Sequence, residues 1–295
     1  MRVFVTGATG FIGTHVVREL IGAGHAVLGL TRSDAGAAAL NRAGADAHRG
    51  SLEDPESLAR GAAASEGVIH LAFDHDFSKW AETCDMDRRA IEALGGALAG
   101  SQRPLIVTSG TAAARVEGRA TTEDDAPNSP IPRVASEHAA EAAWVNGANV
   151  SVVRLPQVHD PVKQGLISPL IAIAREKGVS AYVGDGQNRW PAAHVLDVAR
   201  LYRLALEKGV AGARYNAVAE EGVALRDIAA SLGRGLKLPV VAKSAEEAGE
   251  HFGWLGVFMS TDIPASSALT RAKLGWHPTG PGLISDLDRA GYLGA

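Results

Sequence analysis

Cysteine is nearly absent. Cys84 stands alone among 295 residues, which excludes an intrachain disulfide framework and a cysteine-rich metal site. Charge of one sign is not massed either: 29 lysines and arginines face 33 aspartates and glutamates, a net charge of −4, and the basic residues are scattered. No nucleic-acid or anionic-membrane surface is expected from that pattern. No run approaches the roughly twenty apolar residues of a membrane span, and the opening MRVFVTGATG is too short for a secretory signal. A cytoplasmic location is the expectation. What the chain does have is 46% hydrophobic against 21% charged residues, enough for a buried core. Its length predicts a core domain with a smaller appended lobe.

The most informative segment is the first thirteen residues. Met1 to Thr6 reads as a buried strand, Gly7-Ala8-Thr9-Gly10-Phe11-Ile12-Gly13 as a glycine turn, and an amphipathic helix (Val16, Val17, Leu20, Ile21) is predicted from about Thr14. A strand, a glycine turn and a helix in that order place backbone N–H groups and the positive end of a helix dipole against a phosphate. Gly7 suits a positive φ, Gly10 a close approach by pyrophosphate, and Gly13 close packing of helix on strand.

The βα rhythm then repeats. Strands are predicted at His25–Leu30, Ala45–His48, Gly67–Leu71, Leu105–Thr108 and Val150–Arg154, with helices at Ala35–Arg42, from Pro55 behind the cap Asp54, Lys79–Leu98 and Ala135–Val145. Near-continuous apolar strands alternating with helices specify a doubly wound α/β fold, a parallel sheet covered on both faces. Ligands in such folds lie beyond the carboxyl ends of the strands. From about residue 157 the rhythm changes, with helices expected at Leu166–Arg175, Leu196–Leu206 and Leu225–Leu232. The expected division is a dinucleotide-binding domain over 1–160, to which 192–216 returns, and a substrate lobe over 161–191 and 217–295.

The second strand ends Leu30-Thr31-Arg32-Ser33, where an NAD-binding fold would carry an acid on the ribose hydroxyls. Arg32 and Ser33 suit a 2′-phosphate instead, so NADP is favoured. The glycine segment, Val68-Ile69-His70-Leu71-Ala72, Thr108-Ser109-Gly110-Thr111, Arg154-Leu155-Pro156 and His194-Val195-Leu196-Asp197-Val198-Ala199 together resemble the extended and atypical short-chain dehydrogenase/reductases, the NAD-dependent epimerase/dehydratase group. The resemblance runs through nearly the whole chain. It implies a Rossmann fold and a cofactor set of Gly7, Thr9, Gly10, Phe11, Ile12, Gly13, Arg32, Ser33, Leu52 beside adenine, Leu71, Ala72, Phe73, Thr108, and Pro156 and Val158 at the nicotinamide carboxamide. It also implies a homodimer through the helices Lys79–Leu98 and Ala135–Val145.

That family carries Tyr-x-x-x-Lys in its catalytic helix, where the lysine lowers the tyrosine pKa for proton exchange. Here, by alignment on Ser136 and Glu141, Arg133 stands at the tyrosine position and Glu137 at the lysine position. An arginine stays protonated and cannot donate the proton. The expected catalytic groups are therefore Ser109 and Thr111 after the fifth strand, and His75, whose imidazole titrates near neutrality. Asp74, Asp76, Phe73, His159, Tyr182, Arg189 and Trp190 are the expected substrate contacts, and Phe77, Trp254 and Phe258 further apolar walls. Adjacent Asp and His point different ways, so no metal site is expected. The sequence favours an NADP(H)-dependent oxidoreductase acting on a small or medium apolar carbonyl, enone or imine. A redox sensor without chemistry, like the NmrA-like members of the superfamily, is the alternative, and nucleotide-sugar epimerisation a weaker third.

Overall fold

In the computed structural model, which describes residues 1–290, the chain opens with β1 (Arg2–Thr6), α1 (Phe11–Gly22), β2 (Ala26–Thr31), α2 (Asp34–Arg42), β3 (Asp46–Arg49), α3 (Pro55–Ala63), β4 (Gly67–His70), α4 (Trp80–Leu98), β5 (Pro104–Gly110), α5 (Ala135–Val145) and β6 (Asn149–Leu155). There follow β7 (Gln157–His159), α6 (Ile167–Lys177), β8 (Ser180–Val183), β9 (Arg189–His194), α7 (Val195–Lys208), β10 (Arg214–Asn216), β11 (Glu220–Ala224), α8 (Leu225–Leu236), β12 (Val240–Lys243), α9 (Ala248–Phe252), α10 (Gly256–Met259), α11 (Ala268–Leu274) and α12 (Leu283–Arg289). The last five residues of the expected substrate lobe lie outside the described residues.

Seven strands form one parallel sheet in the order β10-β6-β5-β4-β1-β2-β3. Side chains along a strand alternate between faces, so Val3 and Val5 join a core under α1 and α7, while Phe4 joins the one under α4 and α5. Both faces are covered, which is why these strands read as unbroken apolar runs. The fold is the doubly wound α/β class that the sequence predicts. Strand order reverses between β1 and β4, so the ends of those two strands, Thr6 and His70, mark the crevice.

A third apolar cluster is built from α6, α8, the short helices α9, α10 and α12, and two small sheets, β11-β9-β7 and β12-β8. Its strand β7 follows directly on the end of β6. Most element ends shift by one or two residues and α8 runs four residues further than expected, to Leu236; three differences bear on the crevice. α1 starts at Phe11 rather than Thr14, because Gly10 itself is the N-cap and the turn is only Gly7 to Gly10. β5 continues to Gly110 by pairing Ser109 with Arg154 and Gly110 with Leu155, so Ser109 lies inside the strand and only Thr111 follows it. A single 3₁₀ turn, Phe77–Lys79, precedes α4 because Asp76 caps it through Ser78. Among the described residues no helix is long and apolar enough to cross a membrane.

Candidate active site

The glycine turn is fitted to its surroundings at two points. Gly7 has φ +66°, and a Cβ there would lie 2.7 Å from the Ala72 nitrogen; a Cβ on Gly13 would lie 2.0 Å from the Gly7 carbonyl oxygen. Gly10 is different: it is exposed, and the Gly7 oxygen at 3.1 Å is the one neighbour its Cβ would meet. α1 has no side-chain cap and no acid in its first turn, so its leading N–H groups are left for an anion. Thr9 is exposed beside them, whereas Phe11 and Ile12 are half-buried against the core. A cation that the sequence reading missed lies near: Lys163, in the loop after β7, places Nζ 5.8 Å from the Phe11 ring centroid. Nothing in its local sequence signals that approach, which the fold alone creates.

At the end of β2, Arg32 is exposed and makes no ion pair or hydrogen bond among the described residues. Ser33 also caps a helix: its Oγ accepts the Gly36 N–H at 3.1 Å and closes the start of α2, with its O–H donor still unassigned. Asp34 pairs with Arg49 at 3.0 Å, and Leu52 packs half-buried against the core under α4.

Between the ends of β4 and β5 runs a buried polar chain. Thr6 Oγ1 accepts the N–H groups of Leu71 and Ala72, both at 3.1 Å, and lies 2.8 Å from His70 Nδ1. With both lone pairs used, the threonine proton goes to Nδ1, which leaves His70 Nε2–H to donate to Asp87 Oδ1 at 3.0 Å. The other oxygen of Asp87 accepts from Ser136 Oγ at 2.6 Å and from Arg133 Nη1 at 2.5 Å. Arg133 Nη1 also bonds Ser136 Oγ, and Nη2 donates to the Thr108 carbonyl at 2.9 Å. Burial alone would raise the Asp87 carboxyl, but the Arg133 charge and the hydrogen bonds from His70 and Ser136 outweigh it and hold the group well below the usual carboxylate range. The guanidinium then lies over the Phe73 ring, 4.0 Å from its centroid.

Around it is an aromatic group. Phe73 and Phe77 flank His75 at 5.3 and 6.1 Å, Phe77 stacks on Trp254 at 4.0 Å, and Trp80 meets Phe258 at 5.6 Å. Phe77, Trp254 and Phe258 thus come together as walls. Desolvation between these rings, and then the Arg133 charge, lower the His75 pKa below its ordinary value. That shift disfavours the imidazolium, while the side chain itself stays exposed on its loop. Asp74 and Asp76 are exposed and spend their carboxylates on their own loop, accepting from Asp76 N–H and from Ser78.

Several other expected contacts are turned away from the crevice. Trp190 is buried in the third cluster and donates Nε1–H to the Phe258 carbonyl, so it supports that wall from behind. Arg189 forms a two-point ion pair with Asp262 at 3.1 and 2.8 Å, both side chains nearly half exposed. Tyr182 covers the Gly186 turn. His159 is fully buried, bonded to Asp286 at 2.7 Å, and burial lowers its pKa, so it is no surface acid. The Thr108 hydroxyl is buried, donates to the His70 carbonyl and takes the Tyr202 hydroxyl, so its proton is not available to a cofactor. The Val158 carbonyl already receives Gly165 N–H and the Gln157 amide, while Pro156 stays half-buried. Ser109 and Thr111 are buried at the β5 end; Ser109 Oγ has no partner among the described residues.

Glu137 does not point its charge at the crevice. It accepts two bonds from Arg154, both at 2.8 Å, and one from Arg214, an ion pair inside the protein. Among the described residues no group of three His, Cys, Asp or Glu side chains could hold a metal. A surface hollow of about 670 Å³ between α1 and α7 includes none of these crevice residues.

A parallel sheet with an uncapped helix behind a glycine turn at its switch point defines a Rossmann-type α/β protein. The family follows from comparison: the chain belongs to the NAD dependent epimerase/dehydratase family, whose description matches residues 3–218. It is 49% identical to the uncharacterized protein C2A9.02 of Schizosaccharomyces pombe, covering 99% of this chain and 100% of that protein. It is 27% identical to a UDP-glucose 4-epimerase of Streptomyces lividans over 94% of this chain and 92% of the relative. In fold it resembles DesIV, a dTDP-glucose 4,6-dehydratase from Streptomyces venezuelae solved with NAD bound, with a TM-score of 0.80, 19% identity and coverage of 99% and 96%.

Proposed function

We propose that the protein is an NADP(H)-dependent oxidoreductase that reduces a small or medium apolar carbonyl, enone or imine without a tyrosine acid. A pyridine nucleotide supplies a hydride when bound. Its pyrophosphate fits the Gly7–Gly13 turn, where Gly10 is open and the first turn of α1 is uncapped. Arg32, unpaired at the end of β2, takes the 2′-phosphate; Leu71, Ala72 and Phe73 border the ribose. In this reading residues 1–160 with 192–216 hold the cofactor, the remaining lobe covers the substrate, and α4 with α5 pairs two copies.

The observation that carries the enzymatic reading is the buried chain from Thr6 to Arg133. It fixes a polar group beside aromatic walls, where a substrate would lie. The sensor reading draws on Glu137, which Arg154 and Arg214 hold away from the crevice, so that α5 offers no acid there. Epimerisation requires oxidation and re-reduction of a sugar hydroxyl, and the arginine that would clamp its diphosphate, Arg189, is tied to Asp262.

Two measurements test this. NADPH is expected to bind at least about tenfold tighter than NADH, the value of one charge-assisted contact, and Arg32→Glu to abolish that preference; equal affinities in the wild type would refute the NADP assignment. With saturating NADPH, loss of its absorbance across a panel of enones, imines and ketones is expected for at least one class. Silence across the panel despite tight binding would select the sensor.

A further inference from the structure

Arg133 is held, but not used up. A guanidinium carries five N–H donors. Asp87 and Ser136 take Nη1, and the Thr108 carbonyl takes one hydrogen of Nη2, so among the described residues Nε–H and the second Nη2–H make no hydrogen bond. The side chain is 14% exposed, while Asp87 behind it is 1% exposed. Its face is covered by Phe73, and its position is fixed from three sides. Donors fixed in place at an aromatic wall bind an oxygen more strongly as negative charge grows on it, and they need no reorganisation when it does.

We propose that Arg133 is a binding site for an oxyanion, carried by or developing on the oxygen of an apolar, ring-sized substrate. The inference rests on the reductive reading for its place in turnover, but the site itself needs no nucleotide. A substrate whose oxygen charge is delocalised, such as an enone or a 1,3-dicarbonyl compound, suits it better than an isolated ketone. The pair Arg133–Asp87 is neutral overall, so the preference comes from the donors rather than from a bare cation. The other titratable groups that feel the guanidinium charge are His75 on the crevice side, Cys84 on α4, pushed up to about 11 by burial, and Tyr202, whose phenol burial also raises. None of them replaces its donors.

The test uses 4-nitrophenol, whose phenolate is coloured and whose phenol is not, titrated with pH in the presence of the full protein. Bound to wild type, the probe is expected to ionise about one pH unit lower than in buffer, equivalent to tenfold tighter binding of phenolate than of phenol. In D87N/R133M, which removes both buried charges while keeping an acceptor for His70, the preference is expected to fall within twofold of unity. Should that variant fail to fold, R133K keeps a charge opposite Asp87 without the spare donors, and at least half of the shift should vanish. An unshifted or raised midpoint in wild type, no saturable binding of the probe, or an equal shift in the variants would each overturn the proposal. NADPH affinity measured on the same samples separates the two readings: a shifted probe with no NADPH binding removes the function proposed above and leaves this site, and the reverse removes this site alone.

Discussion

Gly13→Ala is expected to reduce dinucleotide affinity at least about 100-fold, near 2.7 kcal/mol, and to lower stability by about 1–3 kcal/mol. The new methyl would start 2.0 Å from the Gly7 carbonyl oxygen, a backbone atom that can move only if the turn opens. Opening the turn shifts Gly10 and the leading N–H groups of α1, which form the proposed anion cradle. Gly10→Ala is the contrasting case. Its Cβ meets a single atom at 3.1 Å, so the fold should survive with little change in Tm while nucleotide affinity still falls, because the methyl occupies the open side of the turn. Calorimetric titration with NADPH and a melting curve on each variant separate the two effects. Unchanged affinity in both variants would mean that phosphate is held elsewhere.

Asp87→Ala should be the most destabilising single change at the crevice. The carboxylate accepts from His70, Ser136 and Arg133 at once, and removing it leaves a largely buried guanidinium without its counter-charge. About 3 kcal/mol is expected, a fall in Tm of about 5 °C for a chain of this length. Asp87→Asn should cost less, since it keeps an acceptor for His70. The pH dependence follows from the direction of the shift. Asp87 titrates lower in the folded protein than in the unfolded chain, so its stabilisation is present above the ordinary carboxylate pKa and disappears as pH falls through its depressed value. The gap between wild type and Asp87→Asn should therefore hold constant from pH 8 to about pH 4 and close only in stronger acid. A gap that closes near neutrality would assign the stabilisation to a histidine instead.

Much of this molecule was legible in order along the chain because its determinants are local. Strand alternation, the Asp54-Pro55 helix start and the glycine turn each act over a few residues, and they specified the doubly wound sheet and the position of its crevice. The limits of elements were less legible. Gly10 serves as both turn and cap, so the helix began three residues earlier than its apolar pattern suggested, and β5 ran on because β6 offered partners to Ser109 and Gly110.

The site divided in the same way. Residues whose role depends on backbone shape, such as Gly7 and Gly13, could be read directly. Those whose role depends on a partner distant in sequence could not. Arg189 was claimed by Asp262, Ser33 by its own helix, His159 by Asp286 and Trp190 by the third cluster. Asp87 was missed altogether: an acid in the middle of a helix reads as solvated surface until β4 brings His70 and the 3₁₀ turn before α5 brings Arg133 against it. Lys163 was missed for the same reason.

The amino-terminal turn is proposed to hold a pyridine nucleotide in front of the Arg133 crevice. Isothermal titration of the protein with NADPH tests it most directly. One saturable site per chain, at least about tenfold weaker for NADH and weakened in Gly10→Ala, is the predicted result; no heat with either nucleotide, or binding indifferent to the Gly10 substitution, would contradict it.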